Sequence, residues 1–432
     1  MWEYYNGKVI LITGGSGFLG TAIVHRLLSC SSVDHIFLLC RGGEEKLRRK
    51  WEEFLPLDMV EKLCNPSHLT ILNGDILLPG MGLSQTELET LRSAINIIIH
   101  AASSISLAKR LHSLSALIIG ASEAIAEFAF TCKNLDRFVY VSSAYANTHV
   151  YSRSEAPPSD IEIKEDFYSL EKQGNPTIEW DAVRKHGTSD AYEAEDFPWA
   201  YAYAKHLTER LLLHQFEQHS AKEKFLIIRP SIIGPAQNVP FPGYSMPMST
   251  PSTIVAAVIA LDPSWKWKIA TRMTFPEMEV TIDEVPVDVV VDRLLSHLAI
   301  EAHGCVHAVS GKRARVSPEE WLEPVMKLRR IPWTMLPHWL AVDWKSPKQH
   351  PISRLYVILG TSFAFSEDRT IALSQKLEEA HSDLQLFARV GMRERTFSRD
   401  EHVRHVMDKL AQKSLVAWLI IQVFYRDYGR NK

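Results

Sequence analysis

Nothing limits the fold of this chain more than "KVILITGGSGFLGTAIVHRLL", where an apolar run leads at once into Gly14, Gly17 and Gly20 and then a helical pattern. Glycines at that spacing permit a tight turn and let backbone approach a bulky anion. They also let the helix pack closely on the strand, while the helix N-terminus attracts negative charge. Directly after the first strand of an α/β pattern, the triplet points to the pyrophosphate of a dinucleotide.

The alternation continues through "HIFLLCR", "LTILNGD", "INIIIHAAS", "RFVYVSSAY" and "FLIIRPS", each separated from the next by longer stretches of helical period. Continuous apolar strands between helices imply a parallel sheet covered on both faces. The expected fold is therefore α/β: a doubly wound parallel-sheet Rossmann domain over residues 1–235, with an insertion at about 152–198 where the pattern gives way to charged and Pro-containing sequence. A smaller substrate-binding part, interleaved with the Rossmann domain, is expected over 236–330. A helical C-terminal domain is expected over 331–432, with amphipathic helices from Ile371 to Leu386 and from Arg399 to Lys413.

A chain of 432 residues with 46% hydrophobic content can fill two or three domain cores. Its 48 Lys and Arg nearly balance 51 Asp and Glu, so no basic field exists to hold a nucleic acid. Cys30, Cys40, Cys64, Cys132 and Cys305 show no paired spacing, which suits free thiols in a reducing compartment and gives no metal site. The start, "MWEYYNGKVILITGG", does not resemble a secretory signal, so an intracellular protein is expected. The late run "SLVAWLIIQVFY" is about half the ~20 residues of a membrane-spanning helix. Core packing is the favoured reading for it, with peripheral membrane contact as the alternative.

Roughly 20 residues past the glycines, where an acid often holds the ribose hydroxyls, the second strand ends in "LLCRGG". Arg41 can pair with a 2′-phosphate that an acid would repel, which favours NADP(H) over NAD(H). Asp75, in "NGD", can accept from the adenine amino group with Ile76 lining the ring; a plain turn former is the other reading. The expected cofactor contacts are Thr13, Gly14, Ser16, Gly17, Phe18, Leu19, Gly20, Arg41, Asp75, Ile76 and Ala101. At the nicotinamide end they are joined by Tyr201, Lys205, Pro230, Ser231 and Ile232. Arg229 divides evenly between that end and a structural ion pair, and "FPGYSMPM" from Phe241 is expected along the substrate path. The cluster Lys327, Arg329 and Arg330 reads as a solvated helix end before it reads as a phosphate site.

A tyrosine four residues before a lysine shares a helical face with it, and the chain offers four such pairs. Tyr4 and Lys8 precede the first strand, with Asn6 and Gly7 between them. Tyr428 and Lys432 end the chain. Tyr168 and Lys172 are stopped by Gly174 and Pro176. Tyr201 and Lys205 open a long apolar-periodic helix that leads into "FLIIRPS", a crossover of ordinary length, and are the expected acid and its partner. A hydroxyl should come from Ser142 or Ser143, which strand alternation sends to opposite faces; Ser143 is favoured.

The glycine turn, "VSSAY" and the Tyr201/Lys205 pair together resemble the extended short-chain dehydrogenase/reductases. More narrowly, "GDILLPGMGLS", "IIHAAS", "YVSSAYAN", "YAYAK", "RPSIIGPAQNVPFPGY" and "VPVDVVVDRLL" appear in the order seen in fatty acyl-CoA reductases. The resemblance is good from about residue 5 to 311 and thinner after 340. It departs at Ser142–Ser143, where the family commonly has Ser-Thr, and at the tail, which in the family often continues into a membrane anchor.

The resemblance implies an acyl-CoA or acyl-carrier thioester as substrate, reduced to an aldehyde and in a second step to an alcohol. Ser143 and Tyr201 would stabilise the developing oxyanion, with Tyr201 as proton donor. Lys205 would bind the nicotinamide ribose and lower the tyrosine pKa from ~10. Two alternatives stay open at this point: an NADP-dependent reductase or epimerase of a free carbonyl or sugar nucleotide, and a non-catalytic NADP(H)-sensing regulator.

Overall fold

The computed structural model describes residues 1–65, 67–153, 161–246, 249–330, 333–377, 383–390 and 399–425. Its centre is a seven-stranded parallel sheet. Across the sheet the strands run Gly304–Ala308, Phe225–Pro230, Arg137–Val141, Ile97–His100, Val9–Thr13, His35–Cys40 and Leu69–Asn73. Their sequences are apolar at consecutive positions because both faces are buried. Ile10, Ile12, Ile97, Ile99 and Leu226 pack into one layer, while Leu11, Ile98, Phe138, Tyr140 and Ile227 pack into the other.

The sheet reverses its winding between Val9–Thr13 and Ile97–His100, so the crevice at their C-terminal ends lies where ligands of such sheets bind. Helix Phe18–Cys30 leaves the glycine turn on one face and packs beside helix Val287–Ala299. The two are joined by a buried ion pair in which Arg26 Nε donates to Asp292 at 2.7 Å. On the other face lies helix Ala200–Gln218, the 19-residue crossover that carries Tyr201 and Lys205.

The insertion holds a short strand, Ile161–Ile163, and the helices Pro176–His186 and Asp190–Ala194. Residues 154–160 lie outside the described part. The segment Tyr168–Lys172 forms no helix; the Tyr168 hydroxyl accepts the backbone N–H of Lys164 at 2.8 Å. Short parallel pairs tie the rest together: Ile232–Gly234 with Glu284–Pro286, Lys266–Ala270 with Leu336–Leu340, and Ile161–Ile163 with Phe363–Phe365. The region after 331 thus lends two strands to earlier parts of the chain.

Helix Arg399–Lys413 forms over the expected span. The helix expected from Ile371 to Leu386 is shorter, Asp368–Lys376. Beyond it the chain is captured by tertiary bonds that override helical periodicity: the Asp383 carbonyl accepts from Arg26 and the Gln385 N–H donates to Asp292. The apolar run near the end also departs from expectation. It forms helix Leu415–Phe424, but Ile421 is its only buried residue, and Leu415, Val416, Trp418, Leu419, Ile420 and Val423 are exposed. Core packing fails there because the helix docks along one narrow edge.

Candidate functional site

The glycine turn is shaped by close approach. Gly14 has φ +76°, and a Cβ there would lie 2.7 Å from the Ala102 nitrogen. At Gly20 a Cβ would stand 2.2 Å from the Gly14 carbonyl oxygen, so any side chain would push the helix off the strand. Gly17 caps the helix in an extended conformation and borders open space, meeting only the Gly14 oxygen at 3.1 Å. Backbone with no side chain before a helix N-terminus fits a pyrophosphate.

The turn opens into a cavity of about 360 Å³ whose walls include Gly14, Gly17, Phe18, Leu19, Gly20, Ala101, Ser143, Tyr201, Lys205, Pro230, Ser231 and Ile232. Eleven of the expected cofactor contacts and the catalytic candidate Ser143 therefore share one space. Thr13, Ser16, Arg41, Asp75 and Ile76 do not line it. Thr13 is fully buried and its hydroxyl turns inward, 2.6 Å from Nδ1 of His100. The Ser16 carbonyl accepts a hydrogen bond from Lys50. Arg41 and Asp75 meet at 4.0 Å across the ends of adjacent strands, with Arg41 mostly exposed. Asp75 also accepts the Leu77 N–H at 3.0 Å, and Ile76 packs on the core below.

Strand Arg137–Val141 stops one residue before the serines, so strand alternation no longer sorts them, and both Ser142 and Ser143 border the cavity. Ser143 caps the short turn Ala144–Asn147, accepting the Tyr145 N–H at 3.2 Å, and its hydroxyl lies close enough to the Tyr201 phenol to favour the ionised form. Burial pushes that phenol up to about 12, partly opposed by Ser143. The Ser142 hydroxyl is buried and has no hydrogen-bond partner among the described residues.

Lys205 is buried one turn further along the helix. Its Nζ donates to the Val141 carbonyl at 2.8 Å and sits 4.7 Å from the centre of the Tyr140 ring. Burial drives this amine down to about 7, with Glu209 acting against the shift. Burial is the largest influence on the Tyr201 phenol, while the Lys205 Nζ is engaged by the Val141 carbonyl and the Tyr140 ring.

Arg229 resolves as structural. Its Nε and Nη2 donate to the two oxygens of Glu209 at 3.0 and 2.6 Å, wholly buried. Ser231 donates to Asp283 at 2.5 Å, which fixes the hydroxyl at the cavity wall. Of the stretch expected along the substrate path, Tyr244 and Met246 pack into the core around Phe18 and positions 247–248 lie outside the described residues, while Ser249 and Pro251 border the cavity. Arg329 is 2% exposed and donates to the carbonyls of Asp262 and Ser264, while Lys327 is exposed beside Glu323. Neither reaches the cavity. The other Tyr/Lys pairs are also elsewhere: Lys8 pairs with Asp136 beside Tyr4, and Tyr428–Lys432 falls outside the described residues.

Several wall residues had no sequence signal. Tyr145, Trp199, Tyr356 and Ile358 border the cavity, the last two arriving from the C-terminal region. Lys50, bonded to the turn at Ser16, is a cation beside the phosphate cradle that spacing alone did not mark.

A glycine cradle at the switch point of a doubly wound sheet, with a Ser–Tyr pair and a buried lysine in the same cavity, defines a nicotinamide-dinucleotide domain of the extended short-chain dehydrogenase/reductase class. The family model described as "Male sterility protein", an NAD-binding family, matches residues 12–294. The chain belongs to this family. It is 30% identical over 305 residues to fatty acyl-CoA reductase 1 of Mus musculus and equally to that of Homo sapiens, covering 68% of this chain and 55% of each relative. The chain thus spans about half the length of the curated relatives it matches. Among solved structures, the reductase (R) domain of a nonribosomal peptide synthetase from Mycobacterium tuberculosis aligns with TM-score 0.61 at 15% identity, covering 95% of this chain and 94% of that one. The terminal R domain of the myxalamid biosynthetic pathway aligns with TM-score 0.60 at 16% identity, covering 94% and 91%. Both share the fold.

The depressed Lys205 pKa has a stability consequence whose sign is fixed. Unfolded, the amine titrates near 10.5; folded, near 7. Below about pH 7 it is charged in both states and the folded state bears the desolvation cost; between the two values the unfolded chain binds the extra proton, so stability rises with pH. Lys205→Met should therefore raise stability below pH ~7 by about 1–3 kcal/mol, with the gain narrowing as pH rises. Thermal melting of both proteins across pH checks this; a gap independent of pH contradicts it.

Proposed function

We propose that this protein reduces an acyl thioester, a fatty acyl-CoA or a related carrier-bound acyl group, to an aldehyde with NADPH, and that a second reduction at the same site yields a primary alcohol. The observation that carries the reading is that Ser143, Tyr201 and Lys205 line the one cavity onto which the glycine turn opens. A nicotinamide bound there supplies the hydride.

The chain's own residues supply the remainder. The Ser143 and Tyr201 hydroxyls border the same cavity, where they can donate to a carbonyl oxygen as it gains negative charge. At about 12, Tyr201 is protonated at neutral pH and acts as donor, which suits reduction. Lys205 stands one turn away on the same helix face, in reach of the ribose hydroxyls a dinucleotide brings. Ribose hydroxyls accepting from its ammonium would favour the charged form. Ser231, tied to Asp283, presents its lone pairs to the nicotinamide end. The thiol of the tetrahedral adduct then leaves as the carbonyl re-forms, releasing the carrier.

Arg41 supports NADPH over NADH. It is an exposed guanidinium at the end of the second strand, held 4.0 Å from Asp75, where the 2′-phosphate of the adenosine ribose falls in this fold. Peripheral membrane contact is supported by helix Leu415–Phe424, whose exposed Leu415, Val416, Trp418, Leu419, Ile420 and Val423 form an apolar surface that suits lipid.

Incubation with acyl-CoA and NADPH should release free thiol and aldehyde, and Tyr201→Phe should lower kcat by roughly 10²–10⁴. Aldehyde turnover without thiol release from any acyl-CoA would instead place the enzyme among free-carbonyl reductases. Arg41→Ala should raise KM for NADPH roughly tenfold or more and leave that for NADH near its original value; equal effects on both coenzymes would remove Arg41 from the 2′-phosphate. Sedimentation with phosphatidylcholine vesicles should carry the protein down, and Leu419→Glu with Val416→Glu should leave it in the supernatant; no sedimentation of the unaltered protein ends the membrane reading.

A further inference from the structure

The cavity has a wall that no catalytic step uses. Its lining also includes the apolar side chains of Tyr145, Trp199, Ile232, Tyr356 and Ile358. Behind three of these, Tyr145, Ile232 and Ile358, lies a second void of about 10 Å³, lined on its apolar side by Ile282, Leu359, Phe363 and Phe365 and on its polar side by Thr281, Thr361 and Asp283, whose carboxylate is already held by Ser231 and Ser310. The same three side chains face both spaces, so they form a partition one residue thick.

The partition is braced from both sides. The Tyr145 ring meets Phe365 edge-on at 5.4 Å and Phe363 at 6.1 Å, and Phe363 stacks on Phe365 at 5.9 Å. Ile358 sits on the short turn Val357–Gly360. That turn is fastened to the active helix, because the indole of Trp199, the residue capping the helix, donates to the Leu355 carbonyl at 2.6 Å. Tyr145 follows Ser143 by two residues and Trp199 precedes Tyr201 by two. The groups that hold the carbonyl and the groups that close the apolar end are therefore set by the same short segments.

We infer that Ile358, with Tyr145 and Ile232, is the stop that limits how long an acyl chain the cavity accepts, and that removing the Ile358 side chain joins the two voids into a longer channel. This rests on the thioester reading above. A hydrocarbon has no polar atoms to satisfy and belongs against this wall, whereas the amides of a carrier arm belong at the solvent-facing mouth, where Ile105 is 54% exposed. Each methylene that enters an apolar site gains roughly fourfold in affinity, and a methylene forced against a packed wall gains nothing or loses. The signature of a stop is therefore a break in affinity against chain length.

The test uses S-alkyl coenzyme A thioethers of increasing chain length, which carry no carbonyl to reduce, with binding measured by calorimetry on the full chain in the presence of NADP+. Affinity should climb with length and then break. Ile358→Ala should move the break to longer chains and Ile358→Phe to shorter ones, so the inference survives even if one variant folds poorly. An unmoved break in both folded variants, or no binding at any length, overturns it. Acyl-CoA turnover is scored separately: a shifted break without thiol release from acyl-CoA upholds the stop and rejects the reduction chemistry.

Discussion

The site depends on how closely two pieces of backbone approach at the end of the first strand. Gly14 lies against Ala101–Ala102, and Gly20 lies against Gly14, at distances no side chain tolerates. That contact fixes where helix Phe18–Cys30 begins, and hence where its free N–H groups point. It also pins the loop after strand Ile97–His100 beside the turn, which makes the crevice narrow. Every other wall of the cavity is placed relative to this one.

Charge inside the protein is handled differently at different sites. Arg229 and Glu209 neutralise each other with two bonds, wholly buried, and Arg26 with Asp292 does the same between helices. Such pairs hold their partners in register because breaking either one strands a charge. Among the described residues Lys205 has no carboxylate in contact; its bonds are to a carbonyl oxygen and an aromatic face. A cation left that weakly compensated costs stability, which is the pattern of a group kept for what it does to a ligand.

The sheet and the dinucleotide turn were legible in sequence for a physical reason: strands buried on both faces must be apolar throughout, and a glycine triplet before a helix has few other uses. Tyr201 and Lys205 could be chosen among four pairs because only one lay on a long crossover. Ser142 and Ser143 were sorted by an alternation that holds only within a strand, and the strand ends before both of them, at Val141. Helix Leu415–Phe424 misled because apolar content says a surface will be covered but not by what. Tyr356 and Ile358 were illegible because their meaning comes from a contact with Trp199 more than 150 positions away, and no local pattern encodes that.

That last contact sets an order of events during synthesis. The glycine turn, Ser143, Tyr201 and Lys205 all precede residue 210 and can assemble on the growing sheet as soon as its strands pair. The apolar end of the cavity stays open to water until the segment around Leu355–Ile358 has left the ribosome and met the indole of Trp199. A nascent chain halted before that point would hold its reacting groups in a trough, not a chamber.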